Sequence, residues 1–221
     1  IDMPLASSAT LDDLVSDHSD KQSDLIIDPM PNLYFTRDPF ACVGNGVNLN
    51  RMYSVTRNRE TIYGEYIFNY HPDFKGTPQY YSRYNTFHIE GGDILNINDH
   101  VLAVGISQRT EPDAIDGIAH NIFNDPTSPV DTILAFNIPN NRAMMHLDTV
   151  FTQIDVDKFT IHPGIMGPLT VFEITAEGDG IKVKEVNGTL ESILETYVGH
   201  PVELIPCGGG DRIAAEREQW N

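Results

Sequence analysis

The chain has 221 residues, 40% of them hydrophobic, and 32 acidic residues against 14 lysines and arginines give it a net charge of -18. This acidic balance argues against a nucleic acid or an anionic membrane as partner, and no apolar run approaches the length of a membrane span. The two cysteines, Cys42 and Cys207, are far apart and form no disulfide framework, so the composition is that of a cytoplasmic protein in a reducing compartment.

The predicted elements mix strands and helices. Residues 1–24 are polar and predict a short capped helix followed by a linker, and Pro29, Pro31 and Pro39 mark a loop-rich segment. The elements predicted downstream are, in chain order, a strand at 47–50, a helix at 57–70, a hairpin of strands 94–97 and 101–106, a helix at 111–123, strands at 132–138, 144–155 and 158–162, a hairpin of strands 169–175 and 181–186, a helix at 189–198 and a strand at 202–206. The order strand, strand, helix, strand occurs at roughly 94–138 and again at 169–206, and the hairpins argue against an all-parallel sheet. The predicted fold class is therefore mixed α/β.

The segment 144–151 is the most informative part of the chain. It is apolar apart from His146, Asp148 and Thr149, which predicts a strand through a core. Residues two apart on a strand point to the same side, so His146 and Asp148 are predicted to share a face. Because two ionisable groups are costly to bury unless they are paired or functional, this pair indicates an enzyme.

A second motif, Phe-His-Ile-Glu-Gly-Gly-Asp, occupies residues 87–93. His88 and Glu90 alternate onto one predicted strand face, and Gly91 and Gly92 allow a tight turn or a close approach to a ligand. Taken alone, the motif is explained better by a hairpin corner with two solvated polar residues than by a functional site.

Other patterns carry little chemistry by themselves. Thr-Arg-Asp-Pro-Phe at 36–40 is explained by a turn with a surface ion pair, and Cys-Gly-Gly-Gly-Asp at 207–211 by a glycine-rich turn, since it lacks the residues of a phosphate-binding loop. The acidic and histidine side chains of the three motifs could be pooled as a metal site, but the chain has no His-x-x-x-His and no cysteine pair, which disfavours zinc. The sequence therefore indicates neither a metal nor a cofactor.

In combination and in this order, the motifs resemble the arginine deiminase family of guanidine-modifying enzymes, in the pentein superfamily. The matching blocks are residues 28–40, 57–60, 89–93, 104–110, 145–151 and 217–221. The resemblance runs through nearly the whole chain. It implies a five-fold propeller of ββαβ modules around the active site, and hydrolysis of L-arginine to L-citrulline and ammonia.

The resemblance also implies the roles of individual residues. They form four pairs: the carboxylates that hold the guanidinium (Asp38 and Asp148), the acid–base pair (Glu90 and His146), the residues near the substrate carboxylate (Arg57 and Arg109) and two pocket residues (Asn32 and Phe35). The chemistry agrees, because a guanidinium keeps its proton and its planar fork suits two carboxylates. Breaking its C–N bond requires a strong nucleophile, for which a thiolate suffices, and a general acid for the leaving ammonia. Two arginines around the α-carboxylate would select a free amino acid.

The nucleophilic cysteine is not placed by the resemblance. In this family it lies near the C-terminus, after the block Arg-Glu-Gln-Trp-Asn with which this chain stops, and neither Cys42 nor Cys207 matches it. We therefore expect the nucleophile beyond Asn221, a thiouronium intermediate on it, and no activity from the 221-residue chain alone. Residues 1–24 are expected to be the remnant of a helical insertion and a linker. Residues 25–221 are expected to be a partial catalytic propeller domain, a pentein-type propeller lacking its first and last segments.

Two alternatives remain at this point. The chain could be an inactive arginine-binding relative that keeps the binding residues without the chemistry, or a related guanidine deiminase with another substrate. Arg57 and Arg109 argue against agmatine, which has no carboxylate to bind. The expected partners are L-arginine and water, with no nucleic acid and no membrane, and the sequence leaves a homo-oligomer open.

Overall fold

The computed structural model describes residues 30, 32–141, 144–165 and 169–218. The helix and linker expected within residues 1–24, the prolines at 29 and 31, and the last three residues of the 217–221 block lie outside this range. No helix in the described part of the chain is long and apolar enough to cross a membrane.

Strands and short helices alternate along the described chain. The strands are β1 (Phe40–Val43), β2 (Gly46–Leu49), β3 (Gln79–Tyr81), β4 (Ile94–Asn96), β5 (Val101–Ile106), β6 (Thr132–Asn137), β7 (Phe151–Asp155), β8 (Lys158–Ile161), β9 (Thr170–Glu177), β10 (Gly180–Val186) and β11 (Glu203–Pro206). The α-helices are α1 (Thr61–Tyr70), α2 (Pro112–Phe123), α3 (Leu190–Val198) and α4 (Arg212–Glu218). The strands form three sheets, with the orders β1-β2-β3, β10-β9-β6-β5-β4 and β11-β8-β7.

The five-stranded sheet is the centre of the fold. Strands β4 and β5 form an antiparallel hairpin, and α2 connects β5 to the parallel strand β6, which makes one ββαβ module. Along β6 the side chains alternate between two hydrophobic cores, with Leu134 and Phe136 in one and Ile133 and Ala135 in the other. Core side chains thus cover both faces of this sheet, which explains the nearly continuous apolar sequence of β5 and β6.

Local sequence signals account for the ends of the helices. Pro112 occupies the first turn of α2, where the missing N–H costs nothing. Thr189 caps α3 by accepting a hydrogen bond from the Ser192 N–H at 3.2 Å, and Gly199 ends that helix with a φ of 87°. These signals explain why the helices predicted at 111–123 and 189–198 were found within one or two residues of their expected bounds.

The mixed α/β fold class is confirmed, and so are both predicted hairpins. The helix predicted at 57–70 is divided into a 3₁₀ turn, Arg57–Arg59, and α1. The short strands β1 and β3, of four and three residues, were not predicted.

The strand predicted at 144–155 is wrong in its first half. Residues Leu147–Thr149 form a 3₁₀ turn and β7 begins only at Phe151. The turn closes because the N–H groups of Thr149 and Val150 donate to the carbonyls of His146 and Leu147 at 3.1 and 2.9 Å. His146 and Asp148 therefore do not share the face of a strand. His88 and Glu90 likewise lie outside any strand, immediately before the 3₁₀ turn Gly91–Asp93.

Candidate active site

Glu90 and His146 form a buried pair at the starts of two 3₁₀ turns. Each has extended backbone geometry immediately before its turn, so both side chains leave the chain at the point where it changes direction. His146 Nε2 lies 2.8 Å from Glu90 Oε2, and the Glu90 side chain is completely buried. The second oxygen, Oε1, accepts a hydrogen bond from the Tyr53 N–H at 3.0 Å. The carboxylate is thus held at both oxygens and can orient the imidazole.

The two groups shift each other's protonation in opposite directions. Burial alone would lower the pKa of His146, but the hydrogen bond that the ring donates to Glu90 and the charges of Asp93, Glu90 and Asp38 raise that pKa above its usual value. Burial alone would raise the pKa of Glu90, but His146 and Arg109 lower that pKa. Both shifts favour an imidazolium–carboxylate ion pair, and a general acid requires the protonated imidazole of such a pair.

The two glycines that follow Glu90 make room for this pair. A Cβ at Gly92 would lie 2.7 Å from Cγ of the His146 ring, closer than real contacts allow. A Cβ at Gly91 would collide with the carbonyl of Arg37, and the Gly91 N–H donates to the carbonyl of Asp38 at 3.1 Å. Both glycines are therefore needed, because a side chain at Gly91 would collide with the loop that carries Asp38 and a side chain at Gly92 would collide with the His146 ring.

Asp38 lies in a network with Arg57 and Glu60. Arg57 Nη1 donates to Asp38 Oδ2 at 2.9 Å, and Arg57 Nη2 donates to Glu60 Oε2 at 3.0 Å. The guanidinium also lies 5.8 Å from the centre of the Phe35 ring. Asp38 and Glu60 raise the pKa of Arg57 although its burial acts in the other direction. Arg57 is thereby fixed between two acids with an aromatic ring nearby.

Asp148 is the second carboxylate beside the Glu90–His146 pair. Its Oδ2 lies 3.7 Å from Nε of Arg37, whose side chain is half exposed. Burial raises the pKa of Asp148, and the charge of Asp38 raises it further, while His146 and Arg37 lower it. Asp38 and Asp148 are thus close enough to repel each other, and a bound cation would relieve that repulsion.

Arg109 is the cationic side chain next to the second oxygen of Glu90. Its Nη1 is 3.9 Å from Glu90 Oε1, and its guanidinium lies 5.1 Å from the centre of the Tyr53 ring. The carbonyl oxygen of Arg109 is 2.9 Å from Nδ1 of His88. The other ring nitrogen of His88, Nε2, is 3.3 Å from Oε2 of Glu111. Arg109 lines an open cleft of about 590 Å³, together with Gln108, Asn140, Asn141 and Met145.

The remaining predicted pocket residues lie in one turn. Asn32 is half-buried, and its carbonyl accepts the N–H of Phe35 at 3.0 Å. Phe35 is 46% exposed and stacks on Tyr34 with ring centres 4.1 Å apart. Phe35 is thus connected to the site through Arg57. For Asn32, the contact found among the described residues is this backbone hydrogen bond.

Three further residues at the site were not predicted. Arg37 belongs to a motif that the sequence explains as a surface turn, and Tyr53 lies outside every motif. Asp93 ends the Glu-Gly-Gly-Asp motif and is completely buried, accepting the Leu147 N–H at 2.8 Å. Its position in that motif was the available signal, but sequence does not reveal that it contacts residue 147.

Neither cysteine belongs to this group of residues. Cys42 is exposed on β1 and lines a separate cleft with Asn96 and Asn98. Cys207 is half-buried at the start of the 3₁₀ turn Cys207–Gly210. Within the described ranges, no group of three or more His, Cys, Asp or Glu side chains is arranged to hold a metal ion.

Comparison with known proteins gives consistent matches. The family model described as arginine deiminase matches residues 5–221. An arginine deiminase from Treponema denticola is 66% identical over 201 residues, covering 89% of this chain and 49% of that protein. One from Streptococcus gordonii is 51% identical over 222 residues, covering 100% of this chain and 53% of that protein. The chain thus spans about half the length of the curated relatives it matches.

A solved structure shows the same fold. It is that of DDAH from Pseudomonas aeruginosa, a cysteine-to-serine mutant in complex with citrulline. It matches with a TM-score of 0.50 at 15% identity, over 86% of this chain and 72% of that one. The fold of the described residues is therefore of the pentein type.

Proposed function

This chain belongs to the arginine deiminase family, and from that premise we propose that it carries the guanidinium-binding and acid–base residues of an enzyme that hydrolyses L-arginine to L-citrulline and ammonia. The observation that carries the proposal is the buried ion pair of Glu90 and His146, 2.8 Å apart, with Asp38 close enough to raise the pKa of His146 and that of Asp148. A protonated imidazole among several carboxylates suits a cationic substrate that must lose an amine.

Asp38 and Asp148 bind the substrate guanidinium in this proposal. Asp38 already accepts a guanidinium N–H from Arg57 through Oδ2, so Oδ1 is the oxygen we assign to the substrate. Asp148 has its pKa raised by burial and by Asp38. A guanidinium placed between the two would favour the charged form of Asp148 and donate charge-assisted hydrogen bonds to both carboxylates.

Arg109 binds the α-carboxylate of the substrate. It lines the open cleft and is held between the Tyr53 ring and Glu90. Arg57, whose guanidinium lies near Phe35, is the second arginine that we assign to this carboxylate. A carboxylate bound by fixed arginines distinguishes arginine from agmatine, because agmatine lacks the group that would accept these charge-assisted hydrogen bonds.

The reaction is a double displacement at the guanidinium carbon. A cysteine thiolate attacks that carbon, His146 donates its proton to the departing nitrogen, and ammonia leaves a thiouronium intermediate. His146, now neutral, takes a proton from water, which attacks the same carbon and expels the thiolate to give citrulline. Glu90 keeps the imidazole oriented and stabilises its charged form. The positions of Cys42 and Cys207 support neither as the nucleophile.

Citrulline formation by the protein at the length of its relatives tests the proposal. We expect turnover with L-arginine, no measurable turnover with agmatine, and a loss of roughly 100-fold or more in kcat for His146→Ala. Cys42→Ser and Cys207→Ser are the matched controls and should retain activity.

Two outcomes would contradict the proposal. Citrulline formation by the 221-residue chain that disappears in Cys207→Ser would make Cys207 the nucleophile. Calorimetric binding of arginine without ammonia release would show an arginine-binding relative instead of an enzyme.

A further inference from the structure

Asp93 is a fully buried carboxylate that the proposed reaction does not use. It ends the 3₁₀ turn Gly91–Asp93 directly before β4, and its side chain is 0% exposed. No cationic side chain hydrogen-bonds to it among the described residues. Its charge is instead compensated by three short hydrogen bonds, from the Leu147 N–H to Oδ1 at 2.8 Å, and from Ser107 Oγ and Thr110 Oγ1 to Oδ2 at 2.7 and 2.6 Å.

Each of the two hydroxyls extends the network to another backbone segment. Thr110 Oγ1 accepts the N–H of Glu90 at 3.2 Å. Ser107 Oγ accepts the N–H of Arg109 at 2.9 Å and that of Thr110 at 3.2 Å. Each hydroxyl oxygen therefore accepts a hydrogen bond from a backbone N–H, and its own O–H donates to Asp93.

The carboxylate thus connects the segments that carry three predicted site residues. Glu90 is reached through Thr110, Arg109 is reached through Ser107, and His146 is adjacent to Leu147, whose N–H binds Asp93 directly. The hydrogen bonds to Glu90, Arg109 and Leu147 are donated by their backbone N–H groups, so they fix the backbone from which the three side chains extend.

An acceptor without hydrogens is required at this position. Asp93 receives hydrogens at both oxygens, and the hydroxyls donating to Oδ2 already accept elsewhere. An asparagine would present N–H groups to those hydroxyls and force at least one of them to turn. A Cβ at Gly105 would collide with Asp93 Oδ1 and lie 3.0 Å from Cβ of Leu147, so the packing leaves little space for rearrangement.

We propose that Asp93 is a positioning residue that holds Glu90, Arg109 and His146 in a fixed mutual arrangement. The proposal deepens the proposed function and rests on it for the roles of those three residues. Asp93 also acts on His146 through its charge, which is one of the causes that raise the pKa of that imidazole. Burial raises the pKa of Asp93 itself to about 6, so it is mostly ionised at neutral pH.

The pH dependence of turnover distinguishes positioning from a purely structural role. The acidic groups that act on His146 are Glu90, Asp93, Asp38 and Asp148. Asp93→Asn removes one of these charges, so the imidazolium loses its proton at a lower pH. Because the reaction uses the protonated form, we expect the alkaline limb of kcat to move down by roughly one pH unit, with kcat reduced about 100-fold by misplacement of the pair.

Asp125→Asn is the matched control. Asp125 also accepts three hydrogen bonds, from Thr127 N, Thr127 Oγ1 and Tyr80 OH at 2.8, 2.7 and 3.0 Å, but it lies in the loop after α2. We expect its kcat, KM and pH profile to match those of the unchanged protein. A second pair, Thr110→Val and Thr110→Ser, tests the connection to Glu90: valine should lower kcat roughly tenfold, and serine should restore it.

Titration of the His146 ring by NMR in the 221-residue chain gives a measurement independent of turnover. The pKa of His146 should fall in Asp93→Asn and stay unchanged in Asp125→Asn. An unchanged pKa together with an unchanged pH profile would overturn the role of Asp93. Absence of citrulline formation by the unchanged protein would instead overturn the proposed function, while the NMR titration would still decide the effect of Asp93 on His146.

Discussion

At the scale of single residues, the site consists of charged groups whose protonation is set by burial and by their neighbours. Glu90 is completely buried, yet its pKa is lowered because His146 and Arg109 lie close to it. Asp148 is less compensated, and its pKa is raised. The difference predicts that the two acids serve different steps: Glu90 supports proton transfer, and Asp148 binds the cationic substrate.

Substitution of these two acids should affect different kinetic constants. Asp148→Ala should raise KM for L-arginine by about 10- to 100-fold, since a charge-assisted hydrogen bond to the substrate is lost. Glu90→Ala should lower kcat by about 100-fold or more with a smaller change in KM, since the imidazole loses its orientation and its charge partner. Steady-state kinetics on both variants separates the effects. Equal changes in both constants for both variants would contradict the division of roles.

At the scale of elements, the site is built on turns rather than on strand faces. The 3₁₀ turns Gly91–Asp93 and Leu147–Thr149 each begin next to a member of the acid–base pair. They pack against each other because Asp93 binds the Leu147 N–H and Gly92 leaves space for the His146 ring. A turn can present consecutive residues in different directions, which lets Asp148 and His146 face different partners.

Adding one methyl group at Gly92 should disturb this packing. The new Cβ would lie 2.7 Å from Cγ of His146, so the ring must move away from Glu90 and kcat should fall by about 100-fold. Gly117→Ala in α2 is the control, because its Cβ would make an ordinary contact of 3.5 Å with Tyr81. It should leave kcat unchanged and raise the free energy of unfolding by up to about 1 kcal/mol. Normal kcat in Gly92→Ala would show that the ring position is not critical.

At the scale of the whole molecule, the net charge of -18 and the acidic site act in the same direction. Both create a negative potential that attracts a cation before any contact is made. In the proposed function, the two chemically different halves of the substrate are matched by acids around His146 and by Arg109 at the open cleft.

This long-range attraction should depend on salt. Raising NaCl from about 10 to 300 mM shortens the Debye length from about 30 Å to below 10 Å, so KM for L-arginine should rise severalfold while kcat changes little. Sucrose at equal osmolarity is the control and should have no such effect. A KM that does not respond to salt would limit the electrostatic contribution to direct contacts.

Much of the architecture followed from the sequence. Hydrophobic periodicity predicted α2 and α3, because each helix is long enough to establish its period, and Pro112 and Thr189 marked where the helices begin. Apolar runs on either side of turn residues predicted both hairpins. The resemblance of the motifs supplied the family, which the match over residues 5–221 then confirmed. The functional assignments of individual site residues stay predictions.

The arrangement of the site was decided by tertiary structure. The apolar run around His146 has the composition of a strand, but a residue distant in sequence fixes the backbone there. The Leu147 N–H donates a hydrogen bond to the carboxylate of Asp93, which lies 54 positions earlier in the chain. The sequence by itself therefore determined which ionisable residues are present and, through the resemblance, which roles are proposed for Glu90 and His146. Only the folded chain decided that His146 lies at a turn, 2.8 Å from Glu90, because that distance depends on contacts between segments that no local pattern encodes.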